Sequence, residues 1–178
     1  MSLTPGTHKL TQDNGELTLL TTVEGRAARL GHALALRIDR WTASLTAGEE
    51  PSATALEVSA DLGSLTLKGS RDAGKPVAEK DAREILANAQ KTLQAQQYPE
   101  FHFVSTAATG TWDAVTLEGN LTLHGQTRPQ VLQVAVTESG YRLTGQVTQS
   151  GFGIKPYSFM MGALKVGDTV DVEVTVRL

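Results

Sequence analysis

Thr169–Leu178 reads TVDVEVTVRL: Val170, Val172, Val174, Val176 and Leu178 occupy every second position, with polar or charged residues between them. A period of two sends successive side chains to opposite faces of an extended chain. The stretch therefore predicts a strand with one dry and one wet face, as in an antiparallel sheet. The same rhythm recurs upstream. Glu16–Val23 (ELTLLTTV) puts Leu17, Leu19 and Val23 on one face, and His32–Ile38 (HALALRI) does so with Leu34, Leu36 and Ile38. Further alternating sets are Leu56, Val58, Ala60 and Leu62; Leu117, Leu121 and Leu123; Leu132, Val134 and Val136; and Tyr141, Leu143 and Val147. Turn residues punctuate them at Asp13-Asn14-Gly15, Gly48 to Pro51, Ser139-Gly140 and Gly167-Asp168. The predicted class is all-β with one helix: an antiparallel β-barrel of about eight strands.

The dry face runs on even positions through Ile38, then on odd positions at Trp41, Ala43 and Leu45. An extra residue near Asp39-Arg40, as a bulge or tight turn, restores the inward face and bends the sheet as closure needs. Glu79–Gln97 has no Gly or Pro, and Ala82, Ile85, Leu86, Ala89 and Leu93 recur at helical spacing. Glu79 and Asp81 suit the positive end of the helix dipole, and Tyr98-Pro99 ends the run. This is the single predicted helix, a cover packed across one end of the barrel.

Composition removes several function classes. The 178 residues carry a net charge of −3 and are 40% hydrophobic and 20% charged, an ordinary globular balance for one domain over 1–178. The pI of 5.8 gives no basic footprint for nucleic acid. No apolar run reaches the roughly 18 residues of a membrane-spanning helix. There are no cysteines, hence no disulfides, no thiol catalysis and no cysteine-ligated metal. Met1–Leu10 lacks the basic and apolar regions of a secretory signal, so the expected compartment is the cytoplasm, or the periplasm or exterior if a longer precursor was trimmed.

Candidate chemistry is sparse. By strand parity His102, between Phe101 and Phe103, points outward, and His124, entering the Gly125 turn, meets water. His8 lies in the amino-terminal lead. Only His32 shares the parity of Leu34 and Leu36. No His, Asp and Glu cluster at ligand spacing, no Gly-x-Ser-x-Gly elbow and no glycine-rich phosphate loop is present. Neither a metal, a cofactor nor a catalytic residue is expected, and the protein is read as a non-enzyme. Ser150–Gly167 (SGFGIKPYSFMMGALKVG) fits neither a period-two strand nor a helix. Phe152, Ile154, Tyr157, Phe159, Met160, Met161 and Leu164 must bury against something. They serve either as ordinary core folded over the barrel end or as a conformable rim for an apolar ligand. Lys155 and Lys165 flank the segment, either as solvated charges or facing an anionic head group.

Two longer phrases carry a resemblance. Tyr98–Thr106 (YPEFHFVST) and Leu117–Pro129 (LEGNLTLHGQTRP), with Phe152-Gly153-Ile154 near the end and Pro5-Gly6-Thr7 near the start, resemble the YceI-like family in order and spacing along nearly the whole chain. Gly15–Arg37 and Arg71–Lys75 depart from the family pattern, marking a divergent branch. The resemblance implies a bacterial, lipocalin-like barrel holding a polyisoprenoid or similar lipid in its lumen. The expected wall is Leu34, Leu36, Phe101, Phe103, Leu121 and Leu123, with His32 and Lys155 or Lys165 at the polar end. Three functional readings follow: a carrier, store or sequestering protein for such a lipid; a barrel with a filled core that serves as a structural or protein-interaction module; and an enzyme on the same fold. The sequence leaves the ligand's identity, and the choice between monomer and homodimer, open.

Overall fold

A computed structural model describes residues 4–177; Leu178, last of the alternating residues, lies outside them. The strands are β1 (Gly6–Thr11), β2 (Gly15–Leu20), β3 (Val23–Glu24), β4 (Leu34–Ile38), β5 (Trp41–Ala47), β6 (Ala55–Asp61) and β7 (Leu65–Ser70). The helix α1 (Glu79–Leu93) follows, then β8 (Glu100–Thr111), β9 (Ala114–Leu123), β10 (Gln126–Thr137) and β11 (Gly140–Thr148). The chain ends with β12 (Ser158–Phe159), β13 (Leu164–Val166) and β14 (Thr169–Arg177).

Eleven of these strands form one antiparallel sheet in the order β1-β5-β6-β8-β9-β10-β11-β14-β2-β4-β7. The count exceeds the expected eight because three long strands are broken at corners. β1 turns into β2 at Thr11–Gly15, β4 into β5 at Asp39-Arg40, and β6 into β7 through a short 3-10 turn at Leu62–Ser64. Each pair continues one stave, so the sheet comprises eight staves and curls back on itself where β14 meets β2. The parity break at Asp39-Arg40 is thus a turn: Leu34, Leu36 and Ile38 are buried before it, and Trp41, Ala43, Leu45 and Ala47 after it.

The core fills the end built on β5, β6, β8 and β9. Phe103, Leu117, Leu121, Val115 and Leu56 are buried there together with Trp41. Gly119 makes room for this packing. A Cβ there would lie 2.7 Å from Cζ of Phe103 and 2.3 Å from the Val104 carbonyl oxygen, so glycine alone lets the ring cross β9 beside the irregularity at Ser105/Ala107. Trp41 is buried with its Nε1 unpartnered among the described residues, and Trp112, in the β8–β9 turn, packs against the same core.

At the opposite end the wall changes character. β7 pairs with β4 on one side only, and its other side is met by α1, tied down by Gln90 Nε2 donating to the Leu62 carbonyl (2.8 Å). The helix stops at Leu93, four residues before the expected Gln97. Gln94 adopts a left-handed conformation (φ 49°) and its N–H caps the carbonyls of Gln90 and Lys91. Helix propensity in the following residues yields to this cap, which turns Ala95 into the core. The segment after β11 is also more regular than its sequence suggests. A 3-10 turn spans Gln149–Phe152, and β12 and β13 pair with each other and then with β3 in a separate three-stranded sheet. Strands of two or three residues are too short to show a period.

Candidate functional site: a cavity beneath the helix

The end that is not filled contains a cavity of about 360 Å³. Its floor is the inner face of the sheet, where Leu19, Leu34, Leu36, Leu65 and Val170 present their side chains. Its roof is α1, which contributes Ile85, Ala89 and Leu93, three members of the predicted apolar stripe. The third wall is the small sheet and the turn before β4, with Val23, Leu30, Tyr157, Leu164 and Val166. No residue of α1 is fully buried. Ile85, Ala89 and Leu93 of its apolar stripe line the cavity, Ala89 and Leu93 also touching the core, while Leu86 packs against the core without bordering the cavity.

Polar groups are few and sit on two sides. Asp81, Glu84, Asn88 and Thr92 come from the helix, spaced so that they share a face with Ile85, Ala89 and Leu93. Lys165 and His32 come from the facing wall. His32 Nδ1 is buried and has no hydrogen-bond partner among the described residues, whereas Thr21 and Gln149, also in the lining, are held by the Leu34 backbone and the Gly167 carbonyl. A buried ring nitrogen without a partner costs stability unless something supplies the missing bond. Outside the cavity lining, two carboxylates are held by neighbouring cations. The Lys68 ammonium, 2.5 Å away, holds the Glu16 carboxyl below its ordinary range, and Arg40 does the same for Asp61. Among the described residues no three His, Asp or Glu side chains gather as a metal site.

The residues singled out from sequence divide between the two ends. His32, Leu34, Leu36, Tyr157 and Lys165 line the cavity. Phe103, Leu121, Leu123, Phe152 and Ile154 are buried in the packed core, and half-buried Phe101 packs against it, so these six make no cavity wall. Phe159, Met160, Met161 and Lys155 are exposed and outside the lining, the first three because the β12–β13 hairpin projects outward instead of folding over the barrel end. His102 does face outward, paired with Glu57 at 3.0 Å. His124 does not simply meet water. Left-handed backbone (φ 55°) turns its ring inward, where Nδ1 donates to the Phe152 carbonyl (3.1 Å) and the ring lies 4.6 Å from that of Tyr98. Strand parity holds only for extended residues, and His124 is not extended. Leu164, counted in the rim segment, also lines the cavity, whereas sequence reasoning missed the helix polar residues and Leu19, Leu65 and Val170. The spacing of Asp81, Ile85, Asn88 and Thr92 was the available signal for the helix face.

A curled antiparallel barrel, filled at one end and roofed by a single helix over a cavity at the other, belongs to the lipocalin-like class of folds. The model of the YceI-like domain matches residues 8–178, and the chain belongs to that family. Solved structures agree on the fold. BcnA of Burkholderia cenocepacia aligns at 14% identity over 94% of this chain and 99% of its own, with a TM-score of 0.69. The YCEI protein of Campylobacter jejuni aligns at 12% identity over 80% and 84%, with a TM-score of 0.59. A mutant of that protein with a monobromobimane guest gives 14%, 67% and 70%, with a TM-score of 0.53. Among curated proteins none matches the sequence. No helix among the described residues is long and apolar enough to cross a membrane.

Proposed function

We propose that the protein binds the apolar portion of a small lipid, an isoprenoid or a chain of similar girth, in the cavity beneath α1. The observation that carries this reading is the orientation of the helix stripe: Ile85, Ala89 and Leu93 face Leu19, Leu34, Leu36 and Leu65 across a space that side chains do not fill. Apolar surface held apart gains little from folding but gains on ligand entry, about 4 kcal/mol gross per five-carbon unit at ~0.8 kcal/mol per CH₂. Ordering the flexible chain takes much of that back. The volume sits at the lower end of the roughly 300–1,000 Å³ range of small-molecule pockets. At about 30 Å³ per water-sized group it accepts on the order of a dozen non-hydrogen atoms, or two isoprenoid units. A longer polyisoprenoid would keep its remaining units outside or displace the helix. The role is binding rather than catalysis, with His32, Asn88 and Thr92 supplying hydrogen bonds to a polar terminus.

Filling the cavity tests the reading. Ala89→Leu is expected to leave stability within about 1 kcal/mol of wild type, because the added carbons enter empty space. The same change at Ala43, in the packed core, costs about 1–3 kcal/mol. Binding of a fluorescent geranyl probe, followed by titration, should weaken tenfold or more in Ala89→Leu. Unchanged probe affinity in that variant would remove the cavity as the binding site, and would favour the module with a filled core, to which Phe103 and its neighbours already lend support.

A further inference from the structure

We propose that the apolar tip formed by Leu30, Phe159, Met160 and Met161 docks the protein on a bilayer with anionic headgroups, with the cavity mouth beside the membrane. Six large hydrophobic residues are exposed among those described, and these four belong to two adjoining turns. The turns are joined: Ala27 N–H donates to the Ala163 carbonyl (2.8 Å), and Gly31 packs against Leu164. Met161 is fully exposed and Leu30 is 70% exposed. The other two, Val104 and Val131, stand on separate strands, β8 and β10.

The backbone of the tip gives a second observation. Met160, Met161 and Gly162 all have positive φ, at 51°, 56° and 86°, and the turn is closed by Ala163 N–H donating to the Met160 carbonyl. Turns of this kind favour Asn or Gly at such positions. Here two methionines occupy left-handed backbone while their side chains contribute nothing to the core. Strain kept at an exposed apolar point indicates a use outside the monomer.

Charge selects the occupant. The segments carrying the tip, residues 24–31 and 155–165, contain Arg26, Arg29, Lys155 and Lys165 against one carboxylate, Glu24, although the whole chain carries −3. None of the four basic groups joins an ion pair among the described residues. Apolar side chains ringed by unpaired lysine and arginine match an anionic membrane surface, into which the side chains insert while the cations meet headgroups. Continuity with the cavity supports the same orientation. Leu30, Leu164 and Lys165 border both the tip and the cavity, so a lipid leaving the bilayer would pass along this edge. Docking itself does not depend on the ligand reading; only the purpose assigned to it does.

Vesicle flotation of the full chain tests the proposal, using phosphatidylcholine vesicles with and without phosphatidylglycerol. Wild type is expected to float with the anionic vesicles and not with the neutral ones. Combined Met160→Ser and Met161→Ser should reduce recovery about tenfold. Arg29→Gln and Lys155→Gln should each reduce it about fivefold and flatten its salt dependence, and Val131→Ser should leave it unchanged. Circular dichroism confirms that each variant is folded. Equal recovery on neutral vesicles, full recovery of the double Met variant, or no recovery of wild type would overturn the proposal. So would self-association of wild type that the Met variant abolishes, since the tip would then belong to a second copy. Geranyl-probe binding without vesicles separates the two readings. It should survive the Met changes, and its failure in wild type with docking intact would remove the cavity reading alone.

Discussion

At the end of the barrel built on β5, β6, β8 and β9, Phe103, Val115, Leu117 and Leu121 bury one another; at the end built on β2, β4, β7 and α1, Leu34, Leu36 and Leu65 are also buried yet look onto a cavity. Both ends are built from alternating strands with one irregularity each, at Ser105/Ala107 and at Ala35/Leu36, and burial differs little. What differs is the opposite wall. β8 faces its neighbours with phenylalanine, and the register irregularity and Gly119 let the ring fill the space. α1 faces its neighbours with Ile85, Ala89 and Leu93; Ala89 and Leu93 pack against the core, yet the three leave the space over the sheet unfilled. Inward direction and occupied volume are therefore separate properties, set by different residues.

The comparison breaks most visibly under a buried charge. Phe103→Asp should abolish the cooperative urea transition, because an unpaired carboxylate in the packed end has no partner. His102→Gln, one residue away on the outer face, loses only an exposed contact with Glu57 and should stay within about 0.5 kcal/mol of wild type. Equal damage from the two would contradict the faces assigned to β8.

A pair of leucines sharpens the contrast at smaller cost. Leu117→Ala should lower stability by about 2–5 kcal/mol, as expected where truncation opens a new void. Leu34→Ala, which enlarges a space already present and forfeits fewer contacts, should cost about 1–2 kcal/mol less than that. Urea denaturation of both variants decides it, and a larger loss at Leu34 would mean that the cavity end is the more tightly packed.

The smallest effect lies on the outer face of the cavity end, between β2 and β7. Glu16 is hydrogen-bonded to Lys68, which lowers its pKa from the ordinary 4.5. A carboxyl depressed in the folded state stabilises above its unfolded pKa, and that contribution disappears as pH falls through the folded value. With the pair partly exposed, about 0.5 kcal/mol is expected after screening. Glu16→Gln should remove that part of the acid sensitivity below about pH 4.5 while Asp61, held down by Arg40, retains its own. Stability profiles that overlay across this range would show the pair to be inert.

Much of the barrel was legible in the sequence, since period-two runs such as Thr169–Arg177 and the parity change at Asp39-Arg40 follow directly from strand geometry. The helix start and stripe were legible as well. Its end was not, because Gln94 caps it in a left-handed conformation that no residue type announces. The segment from Gln149 to Val166 was opaque because β12 and β13 pair with β3, distant in sequence and only two residues long. Of the candidate site, His32, Leu34, Leu36, Tyr157, Leu164 and Lys165 were named, and Phe101, Phe103, Leu121 and Leu123 were placed on the same wall. Parity gives a side chain's direction but not the bulk of whatever stands opposite.

Both tryptophans, Trp41 and Trp112, belong to the packed end, and neither borders the cavity. Intrinsic emission from this protein is consequently a gauge of core integrity that a guest beneath α1 leaves largely untouched. A geranyl fluorophore would report on occupancy through its own band. One cuvette can thus follow unfolding and ligand release as two independent optical signals, and the order in which they change on adding urea tells whether the helix end opens before the core melts.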